Sequence, residues 1–494
     1  MPKRKLGPEA LSSGASPRPP PRSPRHIELD GRTLEGGGQL VRNALALSAL
    51  TSRPVTIDHV RGNRGGKTGL KASHAAAVKL LAEISRSKVT GGQVGSKCVT
   101  FEPEAPASEE SALSKTAHQS SLVSLVGLSV QPEYTIRLPT PGSVFLIFQA
   151  LYPYLLHVGS RAETDCVKVT ITGGTNGTSS PSYDYASQVM APNFARLGLP
   201  PLSIDLHKRG WTVGPIEMGT VTFNIHPLGS MVNDEGAPDT RFPRINIMDH
   251  ERGKITQIDL TVLAPDSTIS GESKTVRNFV EQQTRRRLRE ALRNLDSSVF
   301  DFQSDSDDDS DRGKTVPIKL HTSEPTTHMS RVYILLVAHT STGFRIGSDA
   351  LIGGQWASGP PKKKHKSNKE TPRHHTKGSN PSQDIAKITS YIDAVLEVFI
   401  EEVFTEEISN QRRDSSSATN KKPSLLDLHM RDQIVVFEAL GEAHGASNDE
   451  AKSRQLEGEQ YWSLHTRTSQ WVCQKILVDT SRKSNDFGCL DKTI

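Results

Sequence analysis

The chain has 494 residues, 34% of them hydrophobic, with 60 Lys and Arg against 55 Asp and Glu. That length has room for two or three domains, but an apolar share this low and a mean hydropathy of −0.46 mean that part of the chain builds no core. No run reaches the ~18 apolar residues of a membrane helix, and residues 1–26 hold no apolar stretch, so we expect a soluble intracellular protein without a membrane span or signal peptide.

The first segment, 1–26, is rich in Pro, Ser and Arg, carries about +5 of charge and is expected to be a disordered tail. Glu35-Gly36-Gly37-Gly38-Gln39 then leads into an apolar-periodic run, 40–50, with Arg42 in its first turn. Three glycines leave backbone N–H groups uncovered where a helix begins, which suits an anion such as phosphate. Glu35 beside a bound phosphate makes sense if a divalent cation bridges the two; the competing reading is a glycine turn feeding an ordinary helix.

Residues 54–60 are strand-like, 62–69 form a basic glycine-rich loop and 72–84 have helical spacing; 167–172, 173–180 and 183–197 repeat that order. Each unit spans about 30 residues, the size of a strand, crossover and helix. Between them, 143–157 is almost continuously apolar and is expected to be a buried helix of a third unit, in which Gln149 needs hydrogen-bond partners. From about 229 to 423 the texture changes to a strand at 254–263, an Arg-rich amphipathic helix at 273–295, a strand at 330–340 and a helix at 385–407. An acidic run, 304–311, and a Lys/His/Pro-rich stretch, 359–383, read as disordered insertions. The basic runs at 2–5 and 360–366 could be read by nuclear import receptors or nucleic acid, or be plain solvated loops. Helix returns at 427–440, and a strand-like Tyr461-Trp462 precedes a last helix at 469–476.

This alternation gives an α/β protein: a large domain of repeated α/β units, 27–228 and 424–494, and a smaller inserted α/β domain, 229–423, whose disordered insertions fall near 300–315 and 355–383. Cys98, Cys166, Cys473 and Cys489 lie far apart without a C-x-x-C, which argues against a disulfide framework and a zinc site. His429, Asp432 and Gln433 fall within one turn of a helix and can face a common ligand, or can be solvated polar residues of its first turn. His465, in a polar patch before the last helix, could attack phosphorus as a neutral imidazole, although a lone histidine is more often structural.

Leu29-Asp30-Gly31, Glu35 to Gln39 with Arg42, Gly142-Ser143 with Gln149, Gly173-Gly174-Thr175-Asn176 with Pro181 and Asp184-Tyr185, then Asp432-Gln433 and Leu464-His465-Thr466, together resemble the RNA 3'-terminal phosphate cyclase family. The resemblance implies a large domain of three repeated α/β units, similar to that of enolpyruvyl transferases, and a smaller insert. It implies ATP as cofactor with a divalent metal, Mg or Mn, and an RNA with a 3'-phosphate end as partner. A nuclear location is expected; no particular protein partner is implied. His465 matches the nucleophile that takes AMP from ATP, Glu35 the metal and ATP ligand, and Gln149, Pro181, His429, Asp432 and Gln433 the nucleotide surroundings. Arg42 and Arg64 are candidates for the RNA phosphate. The chain departs from the family pattern with His429 for an aromatic Tyr, Ser73-His74 for Gln-His, and 212–216 for a glycine-rich stretch.

Overall fold

The structure is a computed structural model, and it describes residues 26–66, 68–104, 130–159, 165–229, 240–268, 274–301, 316–352, 381–410, 424–443 and 463–477. The tail through residue 25, the acidic run 304–311, the stretch 359–380 and Tyr461-Trp462 lie outside the described residues.

Alternating apolar residues and two successive helical runs build the first unit, β1 (Ile27–Asp30), α1 (Gly38–Thr51), β2 (Val55–Asp58), α2 (Ala72–Ile84), β3 (Lys88–Thr90) and β4 (Val99–Glu102). Its sheet has the order β1-β2-β4-β3, with β1 parallel to β2 and the other pairs antiparallel. The second unit repeats the connectivity: β5 (Glu133–Arg137), α3 (Val144–Val158), β6 (Val167–Gly173), α4 (Tyr183–Tyr185), α5 (Ala191–Arg196), β7 (Leu202–Lys208) and β8 (Gly219–Ile225), in the order β5-β6-β8-β7. The expected helix over 183–197 is present but passes through a π-helical turn, Ala186–Met190, between α4 and α5. Pro192 explains the widening, since it lacks an N–H and its ring crowds the carbonyl one turn back. The 143–157 run is α3, and it sits between β5 and β6 as the counterpart of α1, inside the second unit.

A third sheet contains β9 (Ile255–Pro265), β10 (Ile318–Thr326), β11 (Tyr333–Thr340) and β12 (Arg345–Leu351), with α6 (Val276–Leu292) and α7 (Pro381–Asn410). Its order, β10-β9-β11-β12, has the same sequence of strand directions as the other two sheets, but its first two strands and its last two strands are each exchanged in chain order. Helix α7 already begins at Pro381, so the end of the stretch expected to be irregular is helical.

The third sheet is apolar on both faces, and neighbouring residues on a strand therefore join different cores. Leu260 and Val262 pack with Val280 of α6 and Ile392 of α7, whereas Leu263, Leu335 and Val337 join the larger core of the first two units. The separate core under α6 and α7 supports treating 229–423 as an inserted domain, a division we put forward as a proposal.

Helix α1 is buried on nearly every side, packed by α2, by α3 and by α9 (Leu464–Leu477), which in turn meets α8 (Leu428–Glu442). It ends where Ser52 turns left-handed, φ 51°, before Pro54. Its N-terminus therefore opens among α2, α8 and α9. No helix among the described residues is long and apolar enough to cross a membrane.

Candidate functional site

The loop before α1 is shaped by what crowds it. Gly36 has φ +58°, a left-handed conformation that favours glycine. A Cβ on Gly37 would come within 2.1 Å of the Glu35 carboxylate, and one on Gly38 within 2.5 Å of His74 Nε2. Asn63, from the basic loop after β2, holds this loop by donating to the carbonyls of Arg32 and, at 3.0 Å, Leu34. No side chain caps α1, so its first N–H groups face the space over the glycines.

Glu35 is 8% exposed and meets both α9 and the loop after β2. Its backbone N–H donates to Thr468 Oγ1 of α9 at 3.2 Å, and Arg64 donates to its Oε1. Its Oε2 lies 3.5 Å from His465 Nδ1 and is buried without a hydrogen-bond partner among the described residues. A buried carboxylate oxygen left bare is unfavourable by itself and fits a site that accepts a cation. No cluster of three or more His, Cys, Asp or Glu that could hold a metal occurs among the described residues, so Glu35 would share a cation with ligand oxygens.

Around this carboxylate the charge is positive. Burial lowers the Arg42 guanidinium to about 10, with Glu35 opposing and Arg64 adding to the shift, and burial likewise lowers Arg61 and Lys71. All three remain cations at neutral pH, and with Arg64 they outnumber the one carboxylate, which suits a phosphate dianion. His74, buried beside Arg42, Arg61 and Lys71, is pushed down to about 3, first by burial and then by those charges, and is neutral.

His465 stands in the first turn of α9, which begins at Leu464, five residues before the expected helix start. Ser463 explains the earlier start: its Oγ accepts from Thr466 N at 2.9 Å, capping a turn whose residues are too polar to show a period. The ring is 43% exposed, and its Nδ1 meets Gln39 Oε1 at 2.9 Å.

Asp432 and Gln433 come from α8, whose start is held by Asp427, which accepts from Met430 N, Tyr185 Oη and Gly347 N. Asp432 Oδ1 accepts from Ser463 Oγ at 2.6 Å and from Thr466 Oγ1, so it ties α8 to the turn that carries His465. Gln433 Oε1 accepts from Gln149 Nε2 at 2.6 Å, the partner that a half-buried amide in the otherwise buried α3 requires. These two glutamines, Arg42 and Asp432 line a cavity floored by Phe148 and Phe437. Pro181 and His429 are not part of that lining: Pro181 precedes Ser182, the cap of α4, and His429 meets the edge of the Tyr185 ring at 6.1 Å. Gln39, Asn43, Ser463 and Ser469 were assigned no role from sequence; only the spacing of Ser469, one turn after His465, pointed to the same helix face.

A family model described as RNA 3'-terminal phosphate cyclase matches residues 33–481 of the chain. Curated proteins named RNA 3'-terminal phosphate cyclase are similar to it: one of Koribacter versatilis is 32% identical over 209 residues, 42% of this chain and 50% of the relative. One of Caldivirga maquilingensis is 34% identical over 207 residues, 42% and 49%, and one of Thermococcus gammatolerans 32% identical over 201 residues, 41% and 48%. The similar stretch thus spans about half the length of these relatives.

Proposed function

Because the chain belongs to the RNA 3'-terminal phosphate cyclase family, we propose that it uses ATP to convert an RNA 3'-terminal phosphate into a 2',3'-cyclic phosphate. The observation that carries this reading is His465: Nδ1 is engaged by the protein, while Nε2 has no partner among the described residues and the ring is open to solvent beside Glu35. In the first step Nε2 bonds to the α-phosphorus of ATP, the bond from that phosphorus to the bridging oxygen breaks, and pyrophosphate leaves. The ring keeps its Nδ1 proton and is cationic while it carries AMP, a charge that Glu35 and Gln39 face. AMP then passes to the RNA 3'-phosphate, and the ribose 2'-OH of the same nucleotide displaces it and closes the ring.

Glu35 would hold the divalent cation, Mg or Mn, which neutralises charge on the triphosphate when bound. Gln149, Asp432 and Gln433 would border the nucleotide from the cavity lining, and Pro181 and His429, which like Glu35 and His465 stand outside that lining, would complete its surroundings. Arg42 and Arg64 are assigned to the RNA phosphate, whose paired oxygens suit a guanidinium fork. A nuclear location is proposed on the two basic runs alone.

Incubating the protein with α-labelled ATP and a divalent metal tests the reading. Acid-labile, alkali-stable AMP should appear on the wild type and be absent from a folded His465→Ala variant. Label on His465→Ala would sink the mechanism. No label on the wild type would favour the other reading, a non-catalytic cyclase-like protein of ribosome biogenesis, to which the replacements at His429 and Ser73 point.

A further inference from the structure

One amide decides which nitrogen of His465 carries the ring proton. Gln39, in the first turn of α1 and 7% exposed, aims Nε2 at Ser469 Oγ (2.6 Å) and at the backbone carbonyl of Asp432 (3.3 Å). A carbonyl only accepts, so this side of the amide is the NH2 group, and Oε1 is the atom that faces His465 Nδ1 at 2.9 Å. An amide oxygen also only accepts, so Nδ1 is the protonated nitrogen and Nε2 keeps its lone pair. Asn43 Nδ2 reinforces the arrangement by donating to the same Ser469 Oγ at 2.9 Å, which keeps that hydroxyl an acceptor for both amides.

We propose that Gln39 is the positioning residue that selects the Nδ1–H tautomer of His465 and so presents Nε2 to the α-phosphorus. The second half of the statement rests on the cyclase reading; the tautomer does not. Among the described residues the other acceptor near Nδ1 is Glu35 Oε2, and at 3.5 Å it stands 0.6 Å farther away than Gln39 Oε1. The amide therefore orients the ring while the carboxylate stays free for a cation. His74 is the counterexample within the same site: its Nδ1 accepts from Lys71 N at 3.2 Å, which leaves the proton on Nε2.

The test is a ring-nitrogen NMR spectrum of the full chain without metal, read beside the rate of label transfer from ATP. Among 17 histidines, the His465 signals are those lost in His465→Ala, and His74 supplies an internal neutral imidazole of the opposite tautomer. The wild type should show His465 protonated at Nδ1. In Gln39→Met the population should move to Nε2–H, and labelling should slow roughly ten- to a hundred-fold, while the His74 signals stay in place. Gln39→Glu, which restores an acceptor at the same place, should recover the Nδ1–H form and most of the rate. If Gln39→Met does not fold, Ser469→Ala, which frees the amide to rotate, should give a mixture of both tautomers. A His465 ring that stays Nδ1–H in Gln39→Met or in Ser469→Ala overturns the proposal, as does slower labelling without a change of tautomer. A tautomer that responds to Gln39 in a protein that takes no label upholds the positioning role and removes the cyclase reading instead.

Discussion

The first and second units share one connectivity, yet one leaves its helix start open and the other closes it. In the second unit the Gly142 carbonyl accepts from Gly174 N (2.8 Å) and Val144 N donates to the Gly174 carbonyl (3.0 Å), so the clamp between the two strand ends sits on the first residue of α3. In the first unit the matching clamp, Gly62 N to the Gly31 carbonyl (3.2 Å), lies directly after β1, seven residues ahead of α1. The intervening residues fold over the helix end and bring in Glu35. A shift of one backbone clamp along the chain thus converts a structural helix start into an anion-facing one. The loops after β2 and β6 differ to match: the first supplies Arg64 to a carboxylate with one bare oxygen, while in the second Asp184 is filled on both oxygens by Arg209 and Asn176.

The largest expected effect sharpens this contrast through the two ion pairs. Asp184 is 2% exposed in its side chain and held by Arg209 at 2.8 and 2.9 Å, with Glu324 of β10 on the same guanidinium at 2.6 Å. Arg209→Met should destabilise the protein by roughly 3–5 kcal/mol, because it strands a buried carboxylate, and Asp184→Asn in the same chain should recover part of the loss. Arg64→Met should cost about 1 kcal/mol or less, since Arg64 is 45% exposed and Arg42 and Arg61 still act on Glu35, yet it should impair labelling or RNA use. Thermal unfolding of the two variants, read beside activity, separates the cases; equal destabilisation would erase the distinction between an open and a closed unit.

The next effect concerns the glycines. A Cβ on Gly37 meets the Glu35 carboxylate, whereas one on Gly142 meets the end of the Leu138 side chain at 3.3 Å and Ser73 Cβ at an ordinary 3.7 Å. Gly37→Ala should therefore displace Glu35 and lower the rate of adenylylation about 100-fold, and Gly142→Ala should leave it within a few-fold of wild type. Equal rates in the two variants would break the comparison.

What the sequence could show follows from how local each feature is. The 40–50 and 143–157 runs announce α1 and α3 because burial on every side leaves an almost unbroken apolar record, and the glycines before α1 mark the loop because close packing admits nothing larger. The start of α9 left no period to read, since Thr466, Thr468 and Ser469 are buried polar residues satisfied in part by groups of α8, the loop before α1 and α1. The same holds for the pairing of Gln149 with Gln433, 284 residues apart, and for Gln39 as the partner of His465. Pro181 was placed around the nucleotide on family resemblance alone, whereas His429 was also read from its spacing to Asp432 and Gln433; the cavity lining includes neither, and it leaves out Glu35, Arg64 and His465 as well. The exchanged strands of the third sheet were equally hidden, because strand periodicity records burial and not the order in which strands pair.

The smallest effect is a pH slope that belongs to the open unit alone. His74 is 3% exposed and held down to about 3, first by burial and then by Arg42, Arg61 and Lys71, against about 6.5 in the unfolded chain. Between these values the unfolded chain binds the proton and the folded one does not, so stability falls as the pH drops below 6.5 and continues to fall toward 3. By pH 5 the contribution is about 2 kcal/mol, at ~1.4 kcal/mol per unit. His74→Gln, whose amide oxygen can accept from Lys71 N in place of the imidazole, should flatten that part of the curve of thermal midpoint against pH while leaving the rest unchanged. A variant whose midpoint falls between pH 6.5 and 5 as steeply as wild type would mean that His74 is already charged in the fold. The ring would then have to be less buried, or farther from Arg42, Arg61 and Lys71, than the structure places it.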